Sequence, residues 1–144
     1  MAKLGMGAML GLLGGNEDTV AAYNSALGRI ISNAQMDEDV CEDGALVLEF
    51  EGGGVLTLWD AGRSCCENRY ITCDDDLSEL AGKVLSAIEP KAGPEIEDEW
   101  GQMHEQMFIE VLCADGTNAT LTTHNEHNGY YGGFWLKLQA DWPQ

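Results

Sequence analysis

Basic residues are scarce in this chain: seven Lys and Arg stand against twenty-five Asp and Glu in 144 residues, a formal net charge of −18. A surface so acidic repels polyanions at long range, which excludes a nucleic-acid groove built on cation–phosphate contacts. An anionic small molecule can bind only where local cations and backbone N–H groups overcome that field. The opposite use of the charge, imitation of DNA before a basic partner, stays open. No apolar run reaches membrane-spanning length either. The start, MAKLGMGAMLGLLGG, carries one basic residue, and the acidic NED after it offers no small-residue cleavage site. A tail, or a segment packed on a partner subunit, is expected there. A disulfide framework is missing too, since the five cysteines are an odd count and Cys65 and Cys66 are adjacent. That usage fits a reduced cytosol, and the chain reads as soluble and cytoplasmic.

The chain is long enough for one domain with its own core. Asn16 is placed to cap a helix running to Leu27, with Val20, Tyr23 and Leu27 on one face and Gly28 ending it. RIISNAQM reads as extended, and the acidic DEDVCEDG as a loop. ALVLEF and VLTLW, joined by EGGG, form a hairpin in which Leu46, Leu48 and Phe50 share a face. A second passage has the same grammar. DDDLSEL opens a helix with Asp76 and Glu79 spaced as a capping box, and AGKVLSAIE mirrors LGRIISNAQ. An acidic loop GPEIEDEWGQ, a strand MFIEVLC, an Asp115-Gly116 turn and a strand NATLTTH follow, and FWLKLQ closes the series. Register with the first half places a break at Gly82 and a strand through Val84, Ser86 and Ile88, although helical spacing also fits this segment. The expected fold is α+β: antiparallel β-sheets from two duplicated helix–glycine–strand–hairpin modules with short helices. Residues 1–27 are an N-terminal extension and helix; 28–144 are one ligand-binding domain with a pseudo-repeat, 28–75 and 76–139.

Two chemically unusual stretches end the two modules, DAGRSCCENRYITCDDD and THNEHNGYYGGF. Equivalent ends of similar modules often meet, so both are expected to face one pocket or to pair across a dimer. Cys65, Cys66, Cys73, His124 and His127 supply metal-ligand types, but adjacent cysteines chelate one zinc awkwardly and a lone H-x₂-H is weak. Cys65 or Cys66, flanked by Arg63 and Arg69, has cations that favour a thiolate, yet buried unreactive cysteine is the commoner fate. A small-ligand pocket fits better. Gly129, Gly132 and Gly133 let a backbone approach and donate N–H groups to phosphates. Tyr130, Tyr131 and Trp135 offer stacking faces. Asn125 and Asn128 suit ribose hydroxyls or a base edge, and Arg63 and Arg69 carry rare positive charge. The plainer reading of the same residues is a glycine turn, core tyrosines, and arginines paired with surplus acid. The acidic runs at 37–43 and 95–99 read as solvated loops, not as rows of phosphate-mimicking carboxylates.

CCENRYITCDDDL (65–77) and THNEHNGYYGGF (123–134), with LEFEGGGVLTLWD ahead and GFWLKLQ behind, closely resemble the phage anti-Thoeris sponge family over residues 28–139. That family is part of a wider set of phage domains of unassigned function, and residues 1–27 have no counterpart in it. The resemblance implies a non-enzymatic protein in the cytoplasm of the infected host bacterium. Such proteins sequester the cyclic ADP-ribose isomer with which Thoeris defence signals, and release it intact on denaturation. It also implies dimers assembling to a hexamer, with nucleotide pockets at subunit junctions. In some members cyclic di- or trinucleotides of CBASS defence occupy separate sites. The candidate ligand-binding set, chosen on chemistry, is Arg63, Cys65, Cys66, Arg69 and Thr72 from the first stretch. From the second it is His124, Asn125, Asn128, Gly129, Tyr130 and Tyr131. Within it a tyrosine would stack on adenine, an asparagine would bond ribose or base, and Arg69 with glycine N–H groups would meet the pyrophosphate. No catalytic residue, metal or cofactor is expected; an enzyme degrading such nucleotides and an acidic DNA mimic are the alternatives.

Overall fold

The alternating apolar runs form strands. In a computed structural model of the chain, residues 17–37, 44–61, 68–97, 99, 101–127 and 134–143 are described. Helix α1 spans Glu17–Ala26 and is followed by β1 (Ile31–Asp37), β2 (Ala45–Phe50), β3 (Val55–Asp60) and β4 (Asn68–Cys73). A single 3-10 turn, Leu77–Leu80, precedes β5 (Leu85–Glu97), β6 (Met103–Cys113), β7 (Asn118–His127) and β8 (Leu136–Asp141). Every strand pairing is antiparallel, in two four-stranded sheets ordered β1-β2-β3-β8 and β4-β7-β6-β5. The fold is α+β, with short helices and mostly strands. Among the described residues no helix is long and apolar enough to cross a membrane.

The two sheet orders are one order written twice. Strands β1-β2-β3 are completed by β8, and β5-β6-β7 by β4, so each half lends its last strand to the other half's sheet. Where the halves meet, Ile30 bridges Val84, and these occupy the same place in LGRII and AGKVL. The hydrogen bonds around that bridge are reciprocal. Gly28 N–H donates to Leu85 O at 2.8 Å and Gly82 N–H to Ile31 O at 2.7 Å; Ile31 N–H meets Lys83 O and Leu85 N–H meets Arg29 O. Gly28 and Gly82 have φ of 86° and 82°, a left-handed backbone that residues with a Cβ avoid, so glycine is needed where each of these strands begins.

The core lies between the sheets. Leu46, Leu48, Leu56 and Leu58 of the first sheet, and Leu85, Ile88, Ile109, Val111 and Leu121 of the second, are essentially fully buried. Each such side chain contributes about 1.5–3 kcal/mol relative to exposure. Helix α1 joins both sheets: Thr19 Oγ1 accepts from Leu138 N–H at 3.3 Å, and Tyr23 Oη accepts from Ile88 N–H at 3.3 Å. Those two backbone donors face the helix, so its buried side consists of Thr19, Ala22, Tyr23 and Ala26. Val20 and Leu27, expected on that side, are only partly buried; Asn16 lies outside the described residues.

Three segments differ from expectation. The helix begun at Asp76, whose carboxylate accepts from Ser78 N–H at 3.0 Å, stops after one turn that buries Leu80, and Gly82 ends it. Strand β5 runs on through Glu97, so Glu95 and Glu97 are exposed strand residues instead of loop. Its partner β6 supplies the backbone bonds that override the weak strand propensity there, and Pro94 sits at a register shift on this edge strand. NRYITC and HNEH, both expected within loops, belong to β4 and β7.

Candidate functional site

Strand exchange brings the flanks of the two unusual stretches together. The segments 62–67 and 128–133 join β3 to β4 and β7 to β8, and each therefore passes from one sheet to the other. Their flanks are neighbours on both sides: Ala61 N–H donates to Trp135 O at 2.8 Å, and Asn68 is paired with Glu126. Arg63, Cys65, Cys66, Asn128, Gly129, Tyr130 and Tyr131 lie outside the described residues, as do Gly132 and Gly133. Arg69, Thr72, His124 and Asn125 lie in β4 and β7, which pair directly, with Arg69 opposite Asn125 and Thr72 opposite Thr122, two residues from His124.

Alternation in β4, β7 and β6 divides the polar residues between two faces. On the inner face, Arg69, Asn125 and Glu105 are consecutive register neighbours across the three strands. Arg69 Nη1 donates to both carboxylate oxygens of Asp60, at 3.1 and 2.9 Å, and both side chains are buried. Asp60 Oδ1 also accepts from Trp135 N–H at 3.2 Å. One buried carboxylate thus ties the end of β3, strand β4 and the approach to β8. Asn125 is fully buried, and His127 beside it bonds Glu105 Oε1 through Nε2 at 2.6 Å. Thr123 is buried on the same face. Trp135, by contrast, is half exposed.

The outer face carries a stack. The Tyr70 ring lies 4.4 Å from that of His124 with the planes 11° apart. His124 is engaged at both nitrogens, Nε2 with Thr72 Oγ1 and Nδ1 with His104 Nε2, each at 2.9 Å. Tyr70 Oη–H donates to Glu126. Burial, then the charge of His104, hold the His124 pKa below the ordinary imidazole value, so its ring is neutral near pH 7. Burial and Glu126 push Tyr70 up to about 12.

Stacking, hydrogen bonding and a fixed backbone are what these groups offer. The Cys73 and Cys113 thiols are pushed up by burial and stay protonated near neutrality. Among the described residues, no group of three or more His, Cys, Asp and Glu is arranged to hold a metal ion. Sequence reasoning passed over Asp60, Tyr70, His104, Glu105 and Glu126. Asp60 had a signal, because it continues the inward series Leu56, Leu58 at a period of two. His104 and Glu105 had none, since their place depends on the β6–β7 register.

No curated protein and no solved structure matches this chain. A family model does match, over residues 24–136, from the end of α1 to the first residue of β8. The match takes in the hairpins of both sheets and both crossing segments, and on it the chain belongs to the family of the domain of unknown function DUF7448.

Proposed function

We propose that this protein sequesters a cyclic ADP-ribose-type signalling nucleotide, without chemistry, in the cytoplasm of a phage-infected bacterium. The observation that carries the reading is the pairing of the described parts of its two uncommon stretches, with Arg69 opposite Asn125 and Ala61 bonded to Trp135. A sponge needs polar edges satisfied and aromatic faces within reach, and Trp135, half exposed with its backbone N–H on Asp60, offers such a face. The expected role of Arg69 shifts. Its charge is already neutralised by buried Asp60, so it positions β4, and the pyrophosphate is left to Arg63 and the glycine N–H groups of 129–133. Assembly of dimers into a hexamer belongs to the same proposal, as does a separate site for cyclic di- or trinucleotides.

The deciding experiment incubates the protein with a cyclic ADP-ribose isomer, removes free nucleotide, denatures by heat and weighs what is released. Recovery of the unchanged isomer is the expected result. A linear or otherwise altered product would support an enzyme, the reading favoured by the partly buried His127–Glu105 pair, where a carboxylate orients an imidazole as in general-base sites. No uptake at all would leave the acidic interaction protein. Trp135→Ala should weaken uptake about tenfold, as the loss of one stacking face does, while the thermal transition stays in place.

A further inference from the structure

A groove lies beside the first sheet, at β3 and β8. Helix α1 packs along the edge strand β8 there and, with outward side chains of β3 and β8, leaves an open groove of about 650 Å³, within the range of small-ligand sites. Trp59 and Lys137 form its floor, register neighbours across β3 and β8 whose side chains leave the same face roughly 5 Å apart. The helix wall presents Ala21, Ala22 and Ser25, too small to fill the space. Trp142 closes one end and is held firmly: its Nε1–H donates to Ser25 Oγ at 2.9 Å, Arg29 lies 3.9 Å over its ring, and Phe50 meets it edge-on.

Lys137 is the anomaly. Among the described residues, Arg69, Lys83 and Lys91 each hold a carboxylate (Asp60, Asp115 and Glu110) and Arg29 is spent on Ser25 O and the Trp142 ring, while no such partner is seen for Lys137. In a chain with twenty-five acidic residues, a partly buried lysine without an acidic partner points to a charge supplied from outside. Asp18 on the helix wall and the net charge of −18 oppose a dianion such as a phosphate monoester. We propose that this groove binds a small planar aromatic carboxylate, its ring against the Trp59 indole and its carboxylate on Lys137 Nζ. The site shares no residue with the crossing segments and does not depend on the nucleotide reading.

The test titrates the full, ¹⁵N-labelled chain with benzoate, benzamide, benzylammonium and adenosine monophosphate, following the Trp59 indole N–H identified through Trp59→Phe. Benzoate should shift that resonance saturably and bind about tenfold more tightly than benzamide, the gain expected of one charge-assisted pair. Lys137→Met, which keeps the stem, should reduce benzoate to the benzamide level in a protein whose amide spectrum is otherwise unchanged. Ala21→Leu, on the exposed side of α1, should fill the groove and abolish both. The proposal is overturned by any of four results: no saturable shift, equal affinity for benzoate and benzylammonium, tighter binding of adenosine monophosphate, or undiminished benzoate binding in Lys137→Met.

Discussion

At the scale of single residues, the Asp60–Arg69 pair explains most about the crossing between sheets. Two opposite charges are buried together, and Asp60 also accepts a backbone N–H at the approach to β8. Such a pair adds little net stability over an apolar replacement, but removing one member strands the other in a poor solvent. Arg69→Met should therefore cost about 3–5 kcal/mol in urea unfolding, the usual penalty for an unpaired buried charge. The double variant Arg69→Met, Asp60→Asn should recover at least half of that loss. Equal midpoints for the single variant and the parent would show that the pair does not hold the strands.

Elements, not residues, set the outer-face cluster, since β4, β7 and β6 must all be in register for Tyr70, His124 and His104 to meet. The cluster has a pH consequence. The folded-state pKa of His124 is lowered from 6.5, so the unfolded chain binds its proton more readily than the folded one. Its contribution is full above pH 6.5 and is lost as pH falls through the lowered value. Replacing His124 with Gln should flatten the fall in thermal midpoint between pH 7 and pH 5, measured against the parent; an unaltered slope would sink the idea. At the alkaline end, Tyr70 contributes below pH 10 and loses its contribution as pH rises towards about 12. Which elements exist was largely legible. ALVLEF, VLTLW, NATLTTH and the break at Gly82 all follow from period-two alternation and glycine. RYITC was not, because its polar neighbours and short length hide a strand that forms only when β7 supplies the adjacent edge.

For the whole molecule, strand exchange is the governing fact. Neither half can finish a sheet alone, since β4 completes the second and β8 the first. Unfolding should accordingly be a single transition, with tryptophan fluorescence and far-ultraviolet circular dichroism coinciding in urea. Residues 28–75 expressed alone should not fold; a cooperative transition in that fragment would contradict the interlocked architecture.

The crossing could be located in part from the chain itself. The repeat LGRII/AGKVL, with its paired glycines, and the two unusual stretches at equivalent places are local signals, written in spacing and backbone sterics. Alternation likewise marks the inward leucines, because a half-buried strand shows its core face at every second residue. Which half's sheet receives each last strand is not a local property. It depends on how the two halves close over one core, and alternation is the same whichever partner a strand finds. That closure alone sets Arg69 opposite Asn125, buries Asp60 against Arg69, stacks Tyr70 on His124, and leaves the groove lined by Trp59, Lys137 and α1.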